Sequence, residues 1–375
     1  MTPGQFGVLG HQDRRDWPPL AADEARAVLG RYGLETEDIL WHGQRPFSAT
    51  GLVRLVSGGR VFLKRHDRRL RDMAALAEEQ DFAAWLARQG VPVTLPLRTR
   101  DGTRAVERDG WSYEAYPAIE GADRYRDVHS WGAYASEEDA RAAGAMLGRV
   151  HQAARGYDAP ARGHRPLIST LGPLGGPTDG ASGNGALRDW AAAEPGVLAA
   201  LQGKNWHEDV ARALQPHEAR LAPLRAAIEP LWGHGDWHGS NLFWDGAAPR
   251  VAAVMDFGMA DRSCAPFDLA VAIERHAVAW LDLTTPHPVR FSQLAAFLDG
   301  YRTVRALSAV EKSLVIAFLP LCHVGFALSE VGYYGTLLGD TASAAVAYDS
   351  YLLGHARWFE ADEGQNLLDW LARHL

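Results

Sequence analysis

The residues best placed to do chemistry lie in one short stretch from His234 to Asn241, with the sequence His-Gly-Asp-Trp-His-Gly-Ser-Asn. A second acidic group follows fifteen residues after Asn241, at the start of Asp256-Phe257-Gly258. Phosphoryl transfer needs a carboxylate that orients the attacking hydroxyl, and oxygen ligands that hold metal ions on the phosphates. Asp236, Asn241 and Asp256 supply these groups, so the sequence predicts a phosphoryl-transfer site.

The chain between the two motifs predicts how these residues meet. It favours a hairpin, with a short strand from Asn241, an Asp-Gly turn and an apolar strand over 251–255. Such a hairpin would return Asp256 to the side of Asn241, so that both could ligate Mg²⁺ close to Asp236. Carboxylate and amide oxygens suit Mg²⁺, which is a hard ion. We therefore expect Asn241 and Asp256 as metal ligands and Asp236 as the catalytic residue.

His-Gly-Asp-x-x-x-x-Asn followed by Val-x-Asp-Phe-Gly resembles the signature of the aminoglycoside phosphotransferase and choline kinase family. These are small-molecule kinases with a protein-kinase-like fold, and the resemblance extends over about residues 45–274. It implies that Asp236 is the catalytic aspartate and that Asn241 and Asp256 bind Mg²⁺. It also matches Asp268 to an aspartate that helps to hold the catalytic loop.

The N-terminal half contains a second pattern that kinases require, a lysine on a strand paired with a glutamate on the next helix. Lys64 lies in the apolar segment 61–65 and is the only lysine in that half. Two glutamates compete as its partner. Glu79 shares a face with apolar residues and should point inward, whereas Glu78 should be more exposed. An inward charge needs a partner, so we expect Glu79 to pair with Lys64.

The resemblance implies a place for ATP or GTP, between which the sequence does not distinguish. The base should lie against the strand that ends Tyr113-Glu114-Ala115-Tyr116, bonded to backbone groups near Glu114 and Tyr116. The loop before the lysine strand, residues 43–51, departs from the pattern of many kinases because it contains no Gly-x-Gly-x-x-Gly.

The elements that position these residues predict an α+β, bilobal, protein-kinase-like fold. Residues 1–117 favour hairpins over 51–66 and 104–116 with one long helix over 68–89 between them, and should form a small β-rich N-lobe. Residues 118–375 are mainly helical in pattern and should form a larger C-lobe. Within it, residues 156–185 contain eight glycines and four prolines, which predicts a long loop that could close over the acceptor.

Composition narrows the partners and the cellular location. A formal net charge of −8 argues against nucleic-acid binding, which needs a basic surface. The N-terminal residues lack an apolar signal segment. The apolar run 314–328 is short for a membrane span and contains Pro320, and it favours a core helix instead. Two cysteines, Cys264 and Cys322, do not make a disulfide framework. We therefore expect a cytoplasmic enzyme with no membrane partner; the oligomeric state is not predicted.

The acceptor is the least determined feature. From Ala260 to Leu375 there are thirteen acidic and eight basic residues, a modest and dispersed excess, together with several aromatic residues. Aromatic faces suit sugar rings or bases. We therefore hypothesise a small hydroxylated metabolite such as a sugar-bearing or nucleoside-like antibiotic, inactivated by phosphorylation, with an aminoglycoside or amino alcohol second. Candidate acceptor contacts are His238, Glu274 and Glu330.

Three other functions compete with a small-molecule kinase. A metallohydrolase would use His234, Asp236 and His238 as metal ligands and would leave Lys64 and Glu79 without a role. An inactive nucleotide-binding scaffold would not need the complete set of catalytic residues. A protein kinase would need an Ala-Pro-Glu element after Asp-Phe-Gly, which this sequence does not have.

Overall fold

The computed structural model describes residues 16–43, 46–119, 123–126, 128, 130–175, 183–246 and 248–375. These residues form two compact units. The smaller contains residues 16–119 and 253–258, and the larger contains the rest, from 123 onward. The prediction of an absent signal segment concerns residues 1–15, which lie outside the described residues, as do residues 44 and 45 of the 43–51 loop.

The sequence predicted a single boundary between the two lobes, between residues 117 and 118. In the structure, residues 253–258 also belong to the smaller unit. The reason is backbone hydrogen bonding. Val254 N–H donates to the carbonyl of Pro92 at 2.8 Å, and its own carbonyl accepts from Thr94 N–H at 3.0 Å. These bonds place the Asp256 motif within the smaller unit.

The smaller unit is a five-stranded antiparallel sheet with two helices. Its elements are α1 (Ala22–Arg31), β1 (Thr36–His42), β2 (Ala49–Leu55), β3 (Arg60–Asp67), α2 (Met73–Arg88), β4 (Ala105–Arg108) and β5 (Trp111–Pro117), and the strand order is β1-β2-β3-β5-β4. Both predicted hairpins form. Their turns use positive φ angles, +84° at Gly58, +51° at Asp109 and +82° at Gly110.

Helix α2 begins later than the sequence pattern indicated, at Met73 instead of residue 68. The carboxylate of Asp72 accepts the backbone N–H of Ala75 at 2.7 Å, so Asp72 caps the helix. The start of the helix therefore differs from the prediction because composition does not reveal which residue is the cap. The inward face of α2 carries Glu79, as expected.

The larger unit is mainly helical, with two small two-stranded sheets. Its elements in chain order are α3 (Glu137–Ala153), α4 (Gly183–Ala193), α5 (Val197–Ala200), α6 (Trp206–Leu221), β6 (Leu231–Gly233), β7 (Leu242–Trp244), β8 (Val251–Val254), β9 (Asp261–Ser263), α7 (Ala265–Ala277), α8 (Phe291–Val304), α9 (Ala309–Phe318), α10 (Val324–Gly332), α11 (Thr341–Val346), α12 (His355–Trp358) and α13 (Asp362–His374). Strand β6 pairs with β9, and β7 pairs with β8, whose last two residues count with the smaller unit. The hairpin predicted before Asp256 is therefore present.

Helices α3 and α8 pack unusually closely because each has a glycine at the contact. A Cβ on Gly144 would overlap the carbonyl of Phe297, and a Cβ on Gly300 would overlap the carbonyl of Arg141. The close approach brings Tyr301 of α8 against α3, where its side chain becomes part of the hydrogen-bond chain described below.

Two predictions about the larger unit concern residues 314–328 and the glycine-rich segment. Residues 314–328 were expected to form one core helix, but they divide between α9 and α10, because Pro320 cannot continue a helix. The glycine-rich segment contains a buried stretch, with Leu167, Ile168, Leu171 and Leu174 all in the core, so this part is packed structure. Residues 176–182 of the proposed lid lie outside the described residues. Over the described ranges, no helix has the length and apolar character needed to cross a bilayer.

Candidate active site

The catalytic-loop motif follows β6 and is anchored by its backbone. Gly235 has a φ of +78°, and a Cβ there would overlap a neighbouring backbone carbonyl, so the position requires glycine. The backbone N–H groups of His234 and Gly235 donate to the Asp268 carboxylate at 2.8 and 2.7 Å. His151 contacts the same carboxylate at 2.9 Å and Tyr301 Oη at 2.8 Å. Asp268 therefore holds the loop, as the resemblance implied.

Asp236 is fixed through both of its carboxylate oxygens. Oδ1 accepts from Arg275 Nε at 2.9 Å, while Oδ2 accepts from Asn241 Nδ2 at 3.1 Å and lies 3.2 Å from His238 Nε2. Burial alone would raise the pKa of Asp236, but interactions with His238 and Arg275 outweigh burial and hold it well below its usual range. The result is an ionised carboxylate with a defined rotation, suited to orienting a hydroxyl group.

Asn241 satisfies a simple test for a metal ligand. Its amide nitrogen donates to the Asp236 backbone carbonyl at 2.8 Å and to the Asp236 carboxylate. These bonds orient the amide so that Oδ1 is the atom that could ligate a metal ion. An amide oxygen suits Mg²⁺. The convergence of Asp236, Asn241 and Asp256 on one ion stays a prediction.

The histidines of the motif are engaged in ways that do not suit a zinc site. His238 uses both ring nitrogens within the loop, Nε2 on Asp236 and Nδ1 on Ser240 Oγ at 2.8 Å. His234 is fully buried, and its Nδ1 accepts the Asp236 backbone N–H at 3.3 Å. Across the described part of the chain, no group of three or more His, Cys, Asp and Glu residues could hold a metal ion. The metallohydrolase alternative therefore has no geometric support.

Glu274, predicted to contact the acceptor, lies in the interior of the larger unit, with 2% of its surface exposed. Its Oε1 accepts from Trp131 Nε1 at 2.9 Å, and its Oε2 lies 3.5 Å from Arg275 Nη1. Burial raises the pKa of Glu274. It is thus a buried neighbour of the residue that binds Asp236, and its contact with an acceptor stays a prediction.

Arg275 is the site residue that sequence reasoning missed. The available signal was its spacing from Asp268, because residues seven apart in a helix lie two turns apart on one face. Nothing in the residue type alone singled it out among 35 arginines.

Glu330, another predicted acceptor contact, is also largely buried, on α10. It lies close enough to Tyr351 to affect the pKa of that tyrosine. Burial is the main cause of the raised pKa of Tyr351, and the charges of Glu274 and Glu330 raise the pKa further. Tyr351 in turn contacts Trp131 edge to face, with ring centroids 6.2 Å apart. Both predicted glutamates therefore border one aromatic cluster.

In the smaller unit, Lys64 and Asp256 form a close ion pair. Lys64 Nζ lies 3.0 Å from Asp256 Oδ2. Burial alone would lower the pKa of Lys64, but the Asp256 carboxylate, with smaller contributions from Glu114 and Glu79, raises it. Asp256 has a φ of +59°, an uncommon conformation that Asp tolerates better than most residues and that often occurs at functional sites.

The prediction that Glu79, not Glu78, points inward agrees with the structure, since Glu79 is buried and Glu78 is half-buried. The pairing of Glu79 with Lys64 stays a prediction, although the charge of Glu79 does contribute to the raised pKa of Lys64. Asp256 exerts the larger effect on Lys64, and Glu79 lies 3.9 Å from Arg71 Nε. Arg71 also donates to the carbonyl of Gly258 at 2.8 Å, which ties the start of α2 to the Asp256 motif.

The register of β5 shows which backbone groups the sheet already uses near the predicted place of the nucleotide base. Ala118 N–H donates to the Arg60 carbonyl, and hydrogen-bonded pairs alternate along an antiparallel ladder. The backbone groups of Glu114 and Tyr116 therefore face β3 and are used by the sheet. Backbone groups on the other side belong to Ala115 and Pro117, and the Ala115 carbonyl accepts from Leu97 N–H at 2.7 Å.

The Glu114 side chain is committed to a buried network. It accepts from Gln80 Nε2 at 2.7 Å and Tyr116 Oη at 3.0 Å, and lies 3.3 Å from His66 Nε2. Glu114 and Tyr116 are therefore placed to shape the strand near Lys64. The binding of a base to backbone groups near Glu114 and Tyr116 stays a prediction.

Comparison with known proteins places the chain in one enzyme family. The model of the phosphotransferase enzyme family matches residues 47–310. A homoserine kinase from Gluconobacter oxydans (strain 621H) is 28% identical over 319 residues, covering 83% of this chain and 88% of that protein. The fold resembles a microcompartment-associated aminopropanol kinase (TM-score 0.62, 17% identity, 92% and 99% of the two chains) and an amicoumacin kinase solved with AMP-PNP and Ca²⁺ (TM-score 0.59, 15% identity, 87% and 90%).

Proposed function

Because this chain belongs to the phosphotransferase enzyme family, we propose that it is a small-molecule kinase in which Asp236 orients an acceptor hydroxyl for attack on the γ-phosphoryl group of ATP. The observation that carries the proposal is the state of Asp236. It is ionised, held by Arg275 on one oxygen and by Asn241 and His238 on the other. A carboxylate fixed in this way can accept a hydrogen bond from the hydroxyl without reorganising.

Asn241 and Asp256 are the residues that would hold Mg²⁺, which when bound neutralises charge on the β- and γ-phosphates. Each carries the oxygen donor that such an ion prefers, and the amide of Asn241 is already turned by its bonds to Asp236. Lys64 is the candidate ligand of the α- and β-phosphates. Its raised pKa keeps it positively charged, as that role requires.

For the acceptor, we propose an amine-bearing alcohol, which reverses the order expected from the sequence. Support comes from the homoserine kinase that matches most of the chain. The aromatic cluster that Glu330 borders would also suit an ammonium group, because aromatic faces attract cations. The second candidate is a neutral sugar-bearing or nucleoside-like antibiotic, favoured by the same aromatic residues.

A direct test uses purified protein with Mg²⁺ and ATP or GTP, and detects phosphorylated products by mass. The panel contains L-homoserine, 1-amino-2-propanol, kanamycin, spectinomycin, uridine and glucose, and Asp236→Asn protein is the matched control. With an amino alcohol we expect a product about 80 Da heavier than the acceptor, because phosphoryl transfer adds one HPO₃. If uridine or glucose gave product and none of the amines did, the neutral acceptor would be favoured instead. Equal yields from wild-type and Asp236→Asn protein would contradict the assigned catalytic residue.

A further inference from the structure

Arg275 stands out because a buried guanidinium contacts the catalytic carboxylate directly. It lies in the last turn of α7 with 3% of its surface exposed, and its Nε donates to Asp236 Oδ1 at 2.9 Å. The guanidinium also lies over two aromatic rings, 5.0 Å from the centre of Trp131 and 5.5 Å from that of Phe326. The contacts fix the position of a side chain that is normally flexible.

Helix α7 thus holds the catalytic loop at two points. Asp268, in its first turn, accepts the backbone N–H groups of His234 and Gly235. Arg275, in its last turn, binds the side chain of Asp236. The seven-residue interval places both on the same face of the helix. The first contact fixes where the loop backbone lies, and the second fixes how its carboxylate is rotated.

The ends of the helix favour this arrangement electrostatically. A carboxylate is stabilised near a helix N-terminus and a cation near a C-terminus. Burying Arg275 is costly, and the cost is offset by Asp236 on one side and Glu274, with Oε2 at 3.5 Å, on the other. Trp131 binds Glu274 through its indole N–H, so Trp131 and Glu274 together support the guanidinium.

The two oxygens of Asp236 have different partners, and this gives Arg275 a specific effect. Asn241 and His238 contact Oδ2. A carboxylate held at that oxygen alone could turn about the contact. The bond from Arg275 to Oδ1 removes this freedom. Rotational placement of a catalytic group within about 10–20° is the level of precision that active sites need.

We propose that Arg275 is a positioning residue that fixes the rotation of the Asp236 carboxylate and thereby sets the rate of phosphoryl transfer without contributing to nucleotide binding. This inference rests on the proposed function, since it acts through Asp236.

The test compares Arg275→Met and Arg275→Lys with the wild type. Met keeps most of the volume without charge, and Lys keeps a charged donor. The assay measures ADP release from MgATP with water as acceptor, and again with the acceptor found in the panel; nucleotide affinity is measured by titration with MgADP. For Arg275→Met we expect about a hundredfold lower transfer rate, in the range for loss of a preorganised contact, with MgADP affinity within about twofold. Arg275→Lys should be intermediate.

The matched control is Arg225→Met. Arg225 is another largely buried arginine of the larger unit, paired with Glu218 and with the carbonyls of Leu174 and Gly175. Its loss should affect thermal unfolding but leave the transfer rate near that of the wild type. Should Arg275→Met not fold, Arg275→Gln replaces it, because Gln retains a neutral donor.

A double variant separates positioning from a general structural role. If Arg275 acts only through Asp236, adding Arg275→Met to Asp236→Asn protein should lower the residual rate by no more than about twofold, since residues that act as a unit are not additive. The same fold-loss in both backgrounds, or parallel losses of MgADP affinity and rate, would overturn the proposal. A wild-type protein that releases no ADP and makes no product would instead contradict the proposed function itself.

Discussion

The two candidate aspartates, Asp236 and Asp256, lie in different units of the molecule and are held in different ways. Asp236, in the larger unit, has 14% of its side chain exposed and is bound through both oxygens. Asp256, in the smaller unit, has 43% of its side chain exposed, a positive φ and a close pair with Lys64. Backbone hydrogen bonds to Asp268 anchor the loop that carries Asp236, whereas Asp256 forms an ion pair with a lysine of its own unit.

The difference agrees with the division of tasks proposed above for the two aspartates. A group that acts on the acceptor hydroxyl benefits from a fixed position, because misplacement at the reacting centre is costly. A group that binds a metal with its nucleotide must exchange partners when they arrive. A more exposed carboxylate can do so more readily than a largely buried one that is held at both oxygens.

The largest expected effect comes from the rigid side of this comparison. Asp236→Asn keeps the shape of the side chain but removes the charge that the hydroxyl requires. Turnover should fall by about a hundredfold or more, while affinity for Mg²⁺-nucleotide stays close to that of the wild type. Steady-state kinetics together with nucleotide titration provide the measurement. A variant with comparable turnover would show that the fixed carboxylate is not the catalytic one.

Asp256→Asn should instead affect binding of the metal with its nucleotide. Asn tolerates the φ of +59°, so it is a cleaner change than Asp256→Ala, which adds backbone strain. We expect Mg²⁺-nucleotide affinity to weaken by roughly tenfold or more, since a charged ligand of the ion is lost. Titration over a range of Mg²⁺ concentrations measures it. If affinity were unchanged and only turnover fell, the two aspartates would not differ in task as argued.

Lys64→Ala should give a mixed effect of about tenfold. Loss of the ammonium group removes a phosphate ligand and the partner of Asp256, so the nucleotide Michaelis constant should rise and turnover fall together. A matched comparison is Lys204→Ala, a lysine of the larger unit that lies over the ring of Tyr348. Indistinguishable kinetics for the two variants would remove Lys64 from the nucleotide site.

The smallest effect concerns stability and pH. His276 is buried in the larger unit, and burial lowers its pKa to about 4 from an ordinary value of 6.5. Between these values the unfolded chain binds a proton that the folded protein does not, so stability falls as the pH drops from 7 toward 4. His276→Phe should reduce the loss between pH 7 and pH 5 by on the order of 1–2 kcal/mol.

Thermal unfolding midpoints at the two pH values measure this, with the exposed His287→Asn as control. Burial is also the main cause of the lowered pKa values of three other histidines of the larger unit, His217, His323 and His355. In the smaller unit, burial lowers the pKa of His66 in the same way. An identical pH dependence in His276→Phe and wild-type protein would contradict the assignment of this acid sensitivity to His276.

Much of the fold followed from local patterns. The hairpins of β2–β3 and β4–β5 form where turn residues and alternation predicted them, because their turn glycines have positive φ angles that other residues rarely adopt. The inward orientation of Glu79 followed from helical periodicity. The start of α2 did not, since it depends on whether Asp72 or an earlier residue caps the helix.

The sequence by itself determined which residues are candidates for the chemistry and how they are spaced, because a short motif and a hairpin specify Asp236, Asn241 and Asp256. Tertiary structure alone decided which residues contact them. Arg275 binds Asp236 from 39 positions away, and Asp256 pairs with Lys64 across 192 positions. Tertiary structure also decided that Glu274 supports a guanidinium in the interior. Such contacts depend on how helices and strands pack at long range, which no local periodicity encodes.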